Sequence, residues 1–239
     1  MNLLSKFREK IPLGVRQEIR NTQRKLIDFC DKNKPRIVFE KLNYPLQFSL
    51  IQPILQGSFY ENKVKNIQRG CDILNTSAIN KKQVWSFWYH IGRPSTRNGF
   101  YQGRSLINGS VSPQTGGGLC QLTSIIYHLS LLAGLEVVER HTHSIDIYNE
   151  SARFTPLGAD ATVVWGFKDL RIRNPYNFSV YFVAYIKESN LIVEFHSEQT
   201  IQSKEVKFIR TVVSKGINKV NTVVDGIIID SSNYAHKPV

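Results

Sequence analysis

Gly116-Gly117-Gly118-Leu119-Cys120-Gln121-Leu122-Thr123-Ser124 joins a glycine run to an apolar stretch with helical periodicity. Leu122, Ile125, Ile126, Leu129 and Ala133 recur at the spacing of one helix face. The spacing predicts a helix over 120–133, ended by Gly134 as its C-terminal cap. Cys120 then sits at the helix N-terminus, where the dipole and unpaired backbone N–H groups favour a thiolate. Glycines before it let a substrate carbonyl approach the backbone closely, and the same N–H groups suit an oxyanion.

The next stretch decides whether that thiol has a base. Glu136 to His143 reads as a strand containing Glu139-Arg140-His141-Thr142-His143-Ser144. The helix would be roughly 21 Å long at about 1.5 Å per residue. The strand would cover roughly 25 Å at about 3.3 Å per residue. An antiparallel return therefore brings the histidines back toward Cys120. Strand alternation places Val137, Glu139, His141 and His143 on one face. Either histidine then qualifies as base for a thiol nucleophile. Two other readings stay open: an inert buried cysteine after a plain glycine turn, or a zinc ion on Cys120, His141 and His143 with an open fourth position.

Further candidates follow the histidines. Arg153 suits a forked pair with a substrate carboxylate, and Asp160 suits orientation of a histidine; the two read equally as a pair bracing a loop. His128 and His90 read as packed or solvated side chains.

The remaining segments define an α+β class: a mixed or antiparallel sheet, a central helix starting at Cys120, and an N-terminal helical arm. Arg36 to Glu40 reads as a strand, Tyr44 to Leu55 as an irregular connector broken by Pro45 and Pro53, and Asn62 to Leu74 as an amphipathic helix with Cys71 in the core. Gln83 to Tyr89 is rich in strand formers. Residues 98–118 are loop-rich, with room for short hairpins. Ala161 to Phe167, Leu170 to Arg173, Val180 to Ile186, Leu191 to Phe195, Val206 to Val213 and Thr222 to Ile229 are strand candidates. The organisation expected is a basic helical arm over 1–40, a main domain over 41–200, and a C-terminal β extension over 201–239 packed on the same domain.

The net charge of +12 attracts polyanions. Residues 1–35 hold nine basic and four acidic side chains, a net +5. A basic amphipathic helix there either lies on an anionic membrane surface, through residues 1–30, or docks on its own domain. Neither zinc-finger spacing nor an RNA-recognition strand motif is present, so no specific nucleic acid is expected. Three widely spaced cysteines, Cys30, Cys71 and Cys120, argue for reduced thiols rather than a disulfide framework. No signal core and no run of about 18 apolar residues is found, which reads as cytoplasmic or membrane-peripheral.

Several of these motifs together resemble the VanW family, named for an accessory member of a glycopeptide-resistance cluster. The resemblance rests on Glu61-Asn62-Lys63, Trp85-Ser86-Phe87-Trp88 with Gly92, and Gly99-Phe100-Tyr101-Gln102-Gly103. It continues through Gly116 to Leu122, Glu139 to Ser144, and Pro156-Leu157-Gly158-Ala159-Asp160-Ala161-Thr162, over roughly residues 45–185. It implies a cell-envelope protein linked to peptidoglycan. Some members are linked to cysteine-dependent L,D-transpeptidation of stem peptides, in which a thiolate attacks a donor carbonyl and an acceptor amine resolves the acyl-enzyme. Carried over, Cys120 is the nucleophile and His143 the base, with His141 at a variable position. Gly117, Gly118, Gln121, Arg153 and Asp160 are the substrate-binding candidates. The partner implied is a peptidoglycan stem peptide or precursor; no cofactor or metal is implied. The alternative is a non-catalytic accessory or ligand-binding protein with a structural Cys120.

Overall fold

A computed structural model describes residues 11–30, 34–36, 38–39, 43–107, 110–146 and 153–236. Four helices and twelve strands are described: α1 Leu13–Cys30, β1 Leu46–Pro53, α2 Tyr60–Leu74, β2 Val84–Ser86, α3 Phe87–Ile91, β3 Gln102–Ile107, β4 Ser110–Thr115, α4 Leu119–Leu132, β5 Glu136–Glu139, β6 Ile145–Asp146, β7 Arg171–Arg173, β8 Val180–Lys187, β9 Asn190–Ser197, β10 Val206–Ser214, β11 Ile217–Val224 and β12 Ile227–His236. The strands form sheets of order β1-β9-β8, β10-β11-β12-β6, β2-β7-β5 and β3-β4. All strand pairs are antiparallel except β12 with β6. The fold is α+β.

Helix α4 is the centre of the core. Leu122, Ile125, Ile126 and Leu129 are fully buried, and so are Tyr127 and Leu131 on its other sides. Helix α2 packs on it through Ile67, Cys71 and Leu74. The two helices approach closely because position 70 is glycine: a Cβ there would lie 2.8 Å from Leu122 Cδ2. Phe182, Val193 and Phe195 of β8 and β9 close the core from the sheet side. Burial of this apolar surface is the main stabilising term.

Helix α1 is docked by its polar groups. Arg171 holds Asp28 through a fork of 2.6 and 2.9 Å. Arg24 pairs with Glu139, and Glu18 with Arg93 and the Trp165 indole. Gly166, at φ +78°, lets the α1 backbone approach: a Cβ there would meet the Gln17 carbonyl oxygen at 2.4 Å. Leu26, Ile27 and Phe29 are left exposed. No described helix is long and apolar enough to cross a membrane.

The structure corrects several expected elements. Tyr44 to Leu55 holds a strand, β1, because Pro45 and Pro53 stand at its ends and it is the edge of its sheet, where a missing N–H is tolerated. Gln83 to Tyr89 is split: β2 stops at Ser86, whose hydroxyl accepts the Tyr89 N–H and caps α3. Residues 161–167 run irregularly, with one bridge from Val164 to Lys168. Thr222 to Ile229 is two strands divided at Asp225-Gly226, both left-handed, an Asp-Gly hairpin turn. Around the expected strand 36–40, only bridges Pro35 to Val84 and Val38 to Ala78 form; Ile37 and Glu40 lie outside the described residues. The strand expected over 136–143 ends at Glu139.

The glycine loop before α4 is set by backbone contact. A Cβ on Gly117 would lie 2.3 Å from the Gly103 carbonyl carbon, and one on Gly103 would lie 2.8 Å from the Gly117 oxygen. Asn66 of α2 locks the contact, donating to the Gly117 and Tyr101 carbonyls and accepting from the Tyr101 N–H. Gly117→Ala is therefore expected to cost about 1–3 kcal/mol, the usual range for overpacking. Chemical denaturation would measure it, and an unchanged midpoint would contradict the contact.

Candidate active site

Helix α4 begins where the sequence demands a left-handed residue. Gly118 is its N-cap at φ +104°, and Gly116 turns at φ +86°. Both conformations are costly for residues with a Cβ. Cys120 follows in the first turn, half-buried, with its sulfur 3.8 Å from the Val163 carbonyl. Thr123 donates to the Ala161 carbonyl at 2.6 Å, and Ser124 accepts the Ala161 N–H at 3.0 Å. These bonds fasten segment 160–163 along the helix, which sets Asp160 beside Cys120.

His143 joins the two. Its ring lies beside the Cys120 thiol, close enough for the two to shift each other's protonation. Its Nδ1 lies 2.9 Å from Asp160 Oδ2, and its backbone N–H donates to the same oxygen at 2.7 Å. The result is a Cys120–His143–Asp160 chain at the N-terminus of the central helix. The second Asp160 oxygen takes the Tyr234 hydroxyl at 2.7 Å and Arg140 Nη2 at 3.1 Å.

Arg140 is the buried support. Its guanidinium donates to the Asp160 and Gly158 carbonyls, to Asp230 at 2.6 Å and to the Ser232 hydroxyl. It stands 4.8 Å above the Tyr127 ring. Asp230, Ser232 and Tyr234 all come from β12. These four residues were not singled out in the sequence. Arg140 lies inside the Glu139-to-Ser144 motif, and its position beside the histidines is the one signal it offered. The β12 groups approach from 90 or more residues away, a distance no local pattern reports.

The charges favour an ion pair. Burial pushes the Cys120 thiol up, but the hydrogen bond and charge of His143 outweigh it and hold the thiol below its ordinary value. Burial pulls the His143 imidazole down, while Asp160 and then Cys120 raise it well above the usual range. Burial would raise Asp160; His143 and Arg140 instead hold its carboxyl well below the usual range. All three directions point to thiolate and imidazolium. Cys71, by contrast, is buried without a cation, and its thiol is pushed up to about 12.

The sequence candidates divide. Cys120, His143 and Asp160 meet. His141 does not join them: because β5 ends at Glu139, strand alternation fails, and the His141 ring turns to Glu139 at 2.9 Å. Glu139 also holds Arg24, so His141 belongs to the contact that docks α1. Arg153 forks onto Asp146 at 2.7 and 2.9 Å and is not on the cleft wall. Gln121 donates to the Pro53 carbonyl at 2.9 Å. Gly117 is used in the Gly103 contact, while Gly118 faces the cleft. His90 bonds Ser77 and the Ile73 carbonyl, and His128 stands edge-on to Phe208. No cluster of three or more metal-ligating side chains occurs among the described residues.

Cys120, His143 and Asp160 open onto a cleft of about 760 Å³, a size suited to a peptide-sized ligand. Its walls include Gln52, Lys63, Arg104, Gly118, Thr162 and Trp165.

An α+β protein with a cysteine–histidine–aspartate chain at a helix start is the class defined by fold and site. Residues 62–196 match the family described as "VanW like protein", more than half of the chain, and the chain belongs to that family. It is 27% identical over 148 residues to "Uncharacterized protein YoaR" of Bacillus subtilis (strain 168), covering 62% of this chain and 47% of the relative. It is also 27% identical over 148 residues to "Vancomycin B-type resistance protein VanW" of Enterococcus faecalis (strain ATCC 700802 / V583), covering 60% of this chain and 51% of the relative. The chain thus spans about half the length of these relatives. No solved structure matches it.

The ion pair has a pH signature. A lowered thiol pKa means that the reactive thiolate persists to lower pH than in an ordinary thiol and is lost as pH falls through the lowered value. Iodoacetamide labelling of Cys120, followed by peptide mass spectrometry, should give an inflection below the ordinary thiol value of about 8.5. His143→Ala should move that inflection upward. An inflection at or above the ordinary value in the unaltered protein would contradict the ion pair.

Proposed function

We propose that this VanW-family protein is a cysteine acyltransferase or hydrolase acting on a peptidoglycan-type stem peptide. The observation that carries the reading is the His143 ring held by Asp160 at 2.9 Å and set beside the Cys120 thiol at the start of α4. The Cys120 thiolate attacks a peptide carbonyl carbon, and α4 directs its positive end at the oxygen that gains charge. The C–N bond breaks as the His143 imidazolium gives its proton to the leaving amine. A thioester remains on Cys120. An acceptor amine, or water, attacks it; His143 takes the incoming proton, and the thiolate leaves. Asp160 holds the ring and balances the imidazolium throughout, in the manner of the third member of a triad.

The substrate class comes from the family's link to glycopeptide resistance and from the cleft beside the thiol. Cys120→Ala should abolish turnover of a tetrapeptide-stem muropeptide while leaving the melting temperature nearly unchanged. Turnover that survives this substitution would end the thiol mechanism.

A second reading concerns attachment. Helix α1 is docked by Glu18, Arg24 and Asp28 and leaves Leu26, Ile27 and Phe29 exposed, on a chain of net charge +12. Apolar side chains beside basic ones suit an anionic lipid surface. Vesicles containing phosphatidylserine should sediment the protein, and Leu26→Glu with Phe29→Glu should release it. Equal sedimentation of both proteins would rule out this contact.

A further inference from the structure

The cleft wall holds positive charge that no carboxylate among the described residues neutralises. Besides His143, three cationic side chains line it: Lys63, Arg93 and Arg104. Arg93 is paired with Glu18 at 3.0 Å. Lys63 and Arg104 form no ion pair with a carboxylate among the described residues. The acidic side chain on that wall, Asp160, is already occupied by His143, Arg140 and Tyr234.

Their placement is fixed by the fold. Lys63 stands in the first turn of α2, directly against the N-cap of α4: a Cβ built on Gly118 would lie 2.7 Å from Lys63 Cγ and 3.5 Å from its Cα. Gly118 precedes Cys120 by two residues. Asn62 donates to the Gln102 carbonyl at 2.8 Å, which ties the start of α2 to β3. Arg104 is two residues further along β3. Lys63 is held near Arg104 at a cost: burial first, then the charge of Arg104, pulls its ammonium below the ordinary value. A half-buried cation next to a second cation, without a counter-ion, is a site built for an anion.

The same wall carries unpartnered polar groups. Gln52 is 4% exposed and Thr162 5% exposed; Gln52 Oε1 and Thr162 Oγ1 are buried without a hydrogen-bond partner. Both residues line the cleft with Cys120. Buried polar groups are normally paired, and a rotation of either side chain toward the cleft would offer these two to the N–H and C=O groups of a peptide backbone.

We infer that Lys63 and Arg104 form a carboxylate subsite beside Cys120, with Gln52 and Thr162 holding the adjoining peptide backbone, so that the site takes a peptide by its free C-terminus. This rests on the acyl-transfer reading and deepens it: the bond attacked is the one that releases the residue bearing that carboxylate. Arg153, already paired with Asp146, is not the clamp. Lys63 and Arg104 are positioning residues, whereas Cys120 and His143 carry out the bond changes.

The test needs no substrate. Iodoacetate carries a carboxylate to the Cys120 sulfur, and iodoacetamide is its neutral counterpart. Their rate ratio at Cys120 divides out changes in the thiolate's own reactivity. An opposite charge near the reagent is worth about fivefold in rate at close range. Lys63→Gln should lower the iodoacetate-to-iodoacetamide ratio about fivefold, with Lys63→Arg restoring most of it. Arg104 is exposed, so Arg104→Glu keeps the fold and should lower the ratio at least as far. A ratio unchanged within twofold in Arg104→Glu would overturn the subsite. A second readout is calorimetric binding of a stem tetrapeptide and its C-terminal amide to the Cys120→Ala protein. The acid should bind more tightly, and equal binding would also overturn the subsite. A charge-dependent ratio without muropeptide turnover would sink the acyl-transfer reading alone. Turnover with a charge-independent ratio would sink the subsite alone.

Discussion

One buried guanidinium determines where the site's aspartate stands. Arg140 is almost wholly enclosed, with a side chain 4% exposed, and a charge so placed must have every donor occupied. Its partners are the two carbonyls around Gly158 and Asp160, two carboxylates, and two hydroxyls. Satisfying it forces the 158–160 turn and β12 together from opposite sides. Asp160 then has one oxygen committed to Arg140 and Tyr234, which turns the other toward His143. The polarity of the Cys120 thiol is thus set three steps away, by the need to solvate a cation with protein groups.

Two histidines separated by one residue end in different networks. His143 continues the chain from Asp160 to the thiol, whereas His141 turns to Glu139. Glu139 is held to about 2 against burial by His141 and Arg24, with the Arg171 charge adding to them. It also accepts the Asp169 N–H. Asp169 in turn receives the Ser86 hydroxyl and the Trp88 N–H. The second network therefore runs from α1 through β5 to the start of α3. It reaches the cleft wall at Trp88, where Cys120, His143 and Asp160 of the first network also stand.

How far the sequence reads the molecule depends on how local each cause is. Helix α4, the glycine turn and the core position of Cys71 follow from spacing alone, because helical periodicity and left-handed glycine are local properties. The return of a histidine toward Cys120 is legible in outline, since the chain turns back after α4, but the strand expected to carry it covers only Glu136–Glu139 and irregular backbone completes the return. The choice between His141 and His143 does not, because it depends on β5 stopping at Glu139. Edge position, which turns the Pro45-to-Pro53 segment into a strand, is a property of the finished sheet. The Arg140 partners on β12 are invisible for the same reason, as are Lys63 and Arg104, whose adjacency to Cys120 arises only when α2 and β3 close on the glycine loop.

The groups that hold Asp160 do not all lie within the span shared with other members of the family. The matched span ends at residue 196, whereas Asp230, Ser232 and Tyr234 lie beyond it. A fragment cut at that boundary would keep every signature motif and lose half the cage around Arg140. It would carry Cys120, His143 and Asp160 in its primary structure with an unsatisfied cation beneath them. Motif content and chemical competence thus have different boundaries in this chain, and the second is set by a hairpin that the motifs never mention.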